Sequence, residues 1–299
     1  MYTPLRFAII GGGYIEPEYR KKAVLIPGTE RRLNSKKMKR IFIIGTGNMG
    51  GAVASALSED KEYEVFVFNR TREKAEKKAA GKRMTVLERI SDGKKMDAVI
   101  LAVKPQQLDS VYAEAAALDA GMYISLAAGV TLSTLSENLK TENVVRYMPN
   151  IAAEVKSSVT AVAFHSGLGD EKKALALALA SSFGSAFELD ESLFNAFIGI
   201  SGSGIAYVFE FMHSLALGGV REGIPYKKAL EIVTDTLESA VKLQKSTSEG
   251  AIENETMVCS PKGTTIEGLV KLKELNFENA VISAVSAASE KGRALGKKD

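Results

Sequence analysis

The segment Ile41-Phe42-Ile43-Ile44-Gly45-Thr46-Gly47-Asn48-Met49-Gly50 constrains this chain more than any other. Four consecutive apolar residues predict a buried parallel strand, because a strand covered on both faces has no solvent side to mark with polar residues. A G-x-G-x-x-G follows at once and opens a predicted helix over residues 48–58. In that setting Gly45 permits the tight turn, Gly47 lets the backbone approach a pyrophosphate, and Gly50 lets helix and strand pack closely. The helix start, at Asn48 and Met49, offers free N–H groups and partial positive charge to phosphates. The segment predicts a dinucleotide site.

The order of elements agrees with that prediction. Apolar runs over residues 64–68, 98–103, 122–126 and 144–148 read as further strands, with a polar helix over 73–80. Strands alternating with helices imply an α/β fold with a doubly wound parallel Rossmann sheet. From about residue 193 the pattern changes to long helices, over 203–222, 226–247, 265–273 and 277–295. The expected organisation is a nucleotide-binding domain over 38–192 and an all-helical domain over 193–299. Residues 1–37 carry Gly11-Gly12-Gly13 and the basic stretches Arg20-Lys21-Lys22 and Arg31-Arg32. They lack the apolar core and cleavage site of a signal peptide. With Met38 standing just before the first strand, they read as an extension outside the fold.

Cofactor preference is read at the end of the second strand, where Asn69-Arg70-Thr71-Arg72 stands. An NAD site places an acidic residue there for the ribose hydroxyls. Here no acid precedes Glu73, and Asn69, Arg70 and Thr71 are suited to a 2′-phosphate. The sequence therefore favours NADP, with NAD the alternative. Ala102-Val103-Lys104-Pro105 ends another strand and is expected to border the cofactor, since ligands of such sheets lie at the carboxyl ends of strands. Ala127-Ala128-Gly129 offers small side chains beside a nicotinamide ring, with Ala128 as the contact. Either stretch is also readable as an ordinary strand-end turn.

Composition excludes other classes. The formal net charge is +3 with basic residues dispersed, which argues against a nucleic-acid surface. Cys259 is the only cysteine and His165 and His213 the only histidines. A disulfide framework and a zinc site are thus excluded, and a reducing, cytoplasmic setting fits. No uninterrupted apolar run reaches the roughly 18 residues of a membrane span. The longest, from Ala196 to Phe209, is interrupted by Ser201-Gly202-Ser203-Gly204. It reads as a core helix preceded by a turn.

Ser260-Pro261-Lys262-Gly263-Thr264-Thr265 is the most informative segment of the helical half. Pro261 and Gly263 shape a turn, and the threonines open a predicted helix. Backbone N–H groups there suit a carboxylate and a hydroxyl suits a nitrogen. A plain threonine N-cap explains the pattern as well. Cys259, next to it, reads as a packing residue.

Ser-Pro-x-Gly-Thr-Thr at this position resembles the signature of pyrroline-5-carboxylate reductases. Ser201-Gly202-Ser203-Gly204 with Ala206-Tyr207-Val208-Phe209, Arg146-x-Met148-Pro149-Asn150, Ala102-Val103-Lys104-Pro105-Gln106 and Ala127-Ala128-Gly129-Val130 resemble further segments of that family, in order. The likeness spans about residues 38–295. It implies NADPH-dependent reduction of 1-pyrroline-5-carboxylate to L-proline by a homodimer or higher homo-oligomer whose helical domains interlock. It also implies that Thr265 hydrogen-bonds the substrate nitrogen, and that Gly263, Thr264 and Thr265 offer N–H groups to its carboxylate. The chain departs from the family pattern at Ile151-Ala152, Asn195, Ile205 and Lys262. Two other readings compete. One is a 3-hydroxy acid dehydrogenase, which requires a helical acid/base lysine such as Lys228 or Lys242. The other is a non-catalytic NADP-binding dimer. None of these readings involves nucleic acid or a membrane.

Overall fold

The computed structural model describes residues 38–296. The extension inferred over 1–37 lies outside them. The first strand, β1 (Lys39–Ile44), is wholly buried from Ile41 onward. It pairs on one side with β2 (Tyr63–Phe68) and on the other with β4 (Ala98–Leu101). Among the described residues eight strands form one sheet in the order β3-β2-β1-β4-β5-β6-β7-β8. The others are β3 (Met84–Val86), β5 (Tyr123–Ser125), β6 (Val144–Met148), β7 (Ser158–Phe164) and β8 (Gly184–Glu188).

Helices cover both faces of the sheet. Ile41 and Ile43 point into a core formed with α1 (Asn48–Glu59), α2 (Arg72–Ala79) and α5 (Asp170–Ser181). Phe42 and Ile44 point the other way, toward α3 (Pro105–Ala116) and α4 (Leu132–Leu139). This is the doubly wound Rossmann arrangement the apolar runs predict. One strand departs from the expectation of a wholly parallel sheet. β7 pairs antiparallel with β6, because only a short 3-10 turn (Ile151–Val155) joins them. That connection is too short for a parallel crossover. β8 then pairs parallel with β7 after α5 has crossed the face.

Beyond β8 the chain is helical. A 3-10 turn (Glu191–Leu193), α6 (Phe194–Phe197), a π-helical turn (Ile198–Gly202) and α7 (Gly204–Arg221) run into one another. α8 (Tyr226–Ser246), α9 (Ala251–Met257), α10 (Thr264–Glu274) and α11 (Phe277–Gly296) follow. The expectation of a break at Ser201-Gly202-Ser203-Gly204 is corrected here. The Ser203 N–H donates to the Ile198 carbonyl at 2.8 Å, an i→i+5 bond that keeps the helix going. Just before that segment Gly199 lets α11 approach closely, since a Cβ there would lie 2.7 Å from the Val285 carbonyl oxygen.

The expectation of a core helix is corrected as well. The stretch Glu191–Arg221 is long and apolar enough, by length and composition alone, to cross a membrane. In the single chain much of its apolar surface is uncovered, with Val208 50% and Phe209 61% exposed. Ile232, Val241, Val270 and Ile282 on α8, α10 and α11 are exposed too. The buried apolar contact between α7 and α8 is confined to a small cluster around Ala216, Ala229 and Val233.

Candidate active site

The glycine loop sits at the carboxyl ends of β1 and β4. Gly45 adopts φ +105°, and a Cβ there would lie 2.8 Å from the Ala102 carbonyl oxygen. Its N–H donates to the Phe68 carbonyl at 2.8 Å, tying the loop to β2. Gly50 is buried, and a Cβ there would stand 2.1 Å from the Gly45 oxygen and 2.6 Å from the Ala102 Cβ. At Gly47 an added Cβ meets no atom within 4 Å. Gly47 is the N-cap of α1 and makes no side-chain cap, and the first turn holds no acidic residue. The first N–H groups of the helix, from Asn48 onward, therefore face an open cradle with their partial positive charge uncompensated. That is the environment a pyrophosphate requires. Asn48 is exposed at the mouth, whereas the Met49 side chain packs on the core and leaves only its backbone to the site.

A cleft of about 370 Å³ opens beside this loop, lined by Gly45, Gly47, Asn69, Arg70, Ala102, Val103 and Lys104. Among the further lining residues that sequence reasoning overlooked are the polar Lys74, Gln107 and Ser110. Lys74 was findable, as it lies on the first turn of the helix that follows Arg70. The cations at the end of β2 divide between two roles. Arg72 is bound to Glu76 and Glu88, each at 2.7 Å, and these carboxylates hold its guanidinium firmly protonated. Arg70 and Lys74 line the cleft, and no ion pair engages either among the described residues.

Asn69, which lines the cleft, is also engaged within the chain. Its Oδ1 accepts from the Thr46 N–H at 3.2 Å, and its Nδ2 donates to the Thr71 carbonyl at 2.9 Å. The side chain braces the glycine loop against the turn after β2. Lys104 is the exposed N-cap of α3, and Pro105 opens that helix outside the cleft lining. β4 ends at Leu101, so residues 102–104 form a loop and not the last turn of the strand. Ala128 is exposed in the turn after β5 and is not part of the cleft lining. Its neighbour Gly129 lines a larger cavity of about 1000 Å³.

The second predicted cluster lies on the helical half. Ser260 to Gly263 form a turn closed by the Gly263 N–H donating to the Ser260 carbonyl at 3.0 Å. Lys262 takes φ +60° there, the left-handed position that a turn with Pro261 before it asks of its third residue. Gly263 is the N-cap of α10 and carries no side-chain cap. Thr264 and Thr265 are thus the first two helical residues, and neither is the N-cap. Both are exposed. With the Gly263 N–H closing the turn, the N–H groups of Thr264 and Thr265 are among those left at the helix start.

Against this geometry the chain matches two family models. The model described as pyrroline-5-carboxylate reductase dimerisation covers residues 191–295. A model described as NADP oxidoreductase coenzyme F420-dependent covers residues 40–129. The pyrroline-5-carboxylate reductase of Aquifex aeolicus is 34% identical over 262 residues, which is 86% of this chain and 97% of that protein. The enzyme of that name from Methanosarcina acetivorans is 40% identical over 205 residues, 68% of this chain and 76% of that protein. The crystal structure of 1-pyrroline-5-carboxylate reductase from Streptococcus pyogenes superposes with a TM-score of 0.77 at 32% identity, covering 85% of this chain and 98% of that one. The chain belongs to the pyrroline-5-carboxylate reductase family.

The exposed apolar faces of α7, α8, α10 and α11 fall inside the region matched by the family's dimerisation model. Two of the family-like segments turn out to join the sheet to the helices. Asn150 Nδ2 donates to Ser201 Oγ at 3.2 Å, and Ser201 Oγ donates to the Val159 carbonyl at 3.2 Å. Arg146, 5% exposed, donates to Glu191 Oε1 at 2.6 Å with its guanidinium 4.8 Å from the Phe194 ring centroid. Within the single chain the turn from Ser260 to Gly263 makes its hydrogen bonds locally, so the two predicted clusters stand as separate features of one chain.

Proposed function

We propose that this protein reduces 1-pyrroline-5-carboxylate to L-proline with NADPH, as a cytoplasmic homodimer or higher homo-oligomer. The observation that carries this reading is the match to the Aquifex enzyme over nearly its whole length, joined to a cleft whose helix start is uncapped and whose lining includes Arg70 and Lys74 beside the end of β2. An acid for the ribose hydroxyls is absent from the end of β2, so the cations favour the 2′-phosphate of NADP over NAD.

Bound NADPH supplies a hydride to the imine carbon. The chain's own task is to hold the two reactants and accommodate the change at nitrogen. The α1 start and Gly47 receive the pyrophosphate, Arg70 and Lys74 the 2′-phosphate, and Val103 and Lys104 border the cofactor. Thr264 and Thr265 N–H groups receive the substrate carboxylate. The Thr265 hydroxyl bonds the ring nitrogen and orients the C=N bond. The dehydrogenase alternative finds no support in its lysines, since Lys228 and Lys242 lie on exposed helix faces paired with Glu231 and Glu238.

The test is NADPH oxidation followed at 1-pyrroline-5-carboxylate saturation in the parent, Thr265→Val and Thr264→Val. Losing one hydrogen bond that strengthens in the transition state lowers turnover by roughly 10²–10³-fold, so Thr265→Val is expected to fall that far while NADPH binding holds. Thr264→Val keeps its N–H and stays near parent turnover. Equal losses in the two variants would remove the assignment, and no turnover in the parent with NADPH still bound would favour a non-catalytic role.

A further inference from the structure

Glu191 is the first residue of the matched dimerisation region, yet its carboxylate reaches into the sheet. One oxygen, Oε1, accepts from Arg146 of β6 at 2.6 Å and from the Leu132 N–H of α4 at 2.7 Å. Leu132 directly follows the turn Ala128–Thr131, which comes after β5. The other end of that turn is held by the sheet itself, through the Ala127 N–H donating to Ser125 Oγ at 3.2 Å. The turn is therefore pinned twice, once from β5 and once from the helical segment. The second pin is buried on one side and partly open on the other, for the Arg146 side chain is 6% exposed and that of Glu191 29%.

We infer that Glu191 is a positioning residue for hydride transfer, setting the turn Ala128–Thr131 as the wall against which the nicotinamide end of the cofactor rests. The inference depends on the reductase reading given above. Leu132 N–H belongs to the first turn of a helix, where a charged acceptor is favoured. Arg146 fixes the carboxylate so that its position follows β6. Moving this carboxylate moves the wall without touching the glycine loop that grips the rest of the cofactor.

The test compares the parent, Glu191→Ala and Glu191→Gln for kcat, KM for NADPH and the deuterium isotope effect on kcat with NADPH labelled at the transferred hydrogen. A misplacement of about 1 Å costs up to about 100-fold in rate. Glu191→Ala is expected to lose about 10- to 100-fold in kcat with a raised isotope effect, and KM for NADPH is expected to stay within about threefold. Glu191→Gln keeps an accepting oxygen and recovers most of the rate. Should the alanine variant lose its fold through the unpaired Arg146, the double variant Arg146→Met/Glu191→Leu removes both charges together and carries the same expectation. An active parent whose variants keep kcat and isotope effect, whatever their Tm, overturns the inference alone. A parent that does not oxidise NADPH overturns the functional reading and the inference with it.

Discussion

Replacing Gly50 by alanine drives a methyl group into backbone. The added carbon would stand 2.1 Å from the Gly45 oxygen, where real Cβ contacts essentially never fall under 3.0 Å. It would also stand 2.6 Å from the Ala102 Cβ. Neither neighbour is the far end of a flexible side chain, so α1 must retreat by about 0.9 Å or more from the crest of β1 and β4. Overpacking a core costs about 1–3 kcal/mol, and two rigid neighbours put this case near 3. For a chain of this size each kcal/mol lowers Tm by about 2–4 °C, so the expected fall is roughly 6–12 °C. Gly47→Ala is the counterpart. Its methyl meets nothing within 4 Å, so Tm without cofactor should shift only as a neutral surface change does, by up to about 0.5 kcal/mol. The same methyl enters the cradle at the α1 start, and a clash of about 1–3 kcal/mol there weakens NADPH binding about 5- to 150-fold. Circular-dichroism melting and fluorescence titration with NADPH separate the two effects. Parent-like Tm in Gly50→Ala, or parent-like NADPH affinity in Gly47→Ala, would refute this division of roles.

Arg70→Asp should shift the ratio of kcat/KM from NADPH toward NADH, and Lys74→Glu should do so less, while Arg72→Ala should leave the ratio unchanged because Glu76 and Glu88 already hold Arg72. Lys262→Gly should raise Tm by relieving a side chain at φ +60°, a conformation that costs roughly 1–2 kcal/mol for L-residues other than glycine. Burial pushes the Tyr147 phenol well above its ordinary range. Its contribution to stability is therefore complete below about pH 10, the unfolded value, and is lost as pH rises beyond it. A urea midpoint followed from pH 8 to 11 should decline less steeply in Tyr147→Phe than in the parent.

Much of the fold was legible because its signals are local. Ile41 to Ile44 had to be buried on both faces, and the glycines after them had one reading that satisfied strand, turn and helix together. The elements that escaped notice lack such signals. β3 is three residues of edge strand. The orientation of β7 depends on the length of the connection before it and not on its own pattern. Ser201-Gly202-Ser203-Gly204 has the composition of a turn, but contacts with α11 and β7 hold it helical, so tertiary packing overrode local preference. At the site, the cations after β2 were visible as a group. Their division was not, since it rests on Glu88, distant in sequence from Arg72. Likewise Asn69 has the chemistry to hold a phosphate, and only the position of the Thr46 N–H shows that its oxygen is engaged.

The strand order also says something about how the protein is made. From β5 onward every new strand joins the edge left by the one before it, so this side of the sheet extends in the order in which the chain leaves the ribosome. Domains made at about 5–20 residues per second generally fold as units, the N-terminal one first. By the time β8 is out, at Glu188, all eight strands are available, and the helices with uncovered apolar faces come last. Every strand of the nucleotide-binding half is thus made before the helices with uncovered apolar faces emerge.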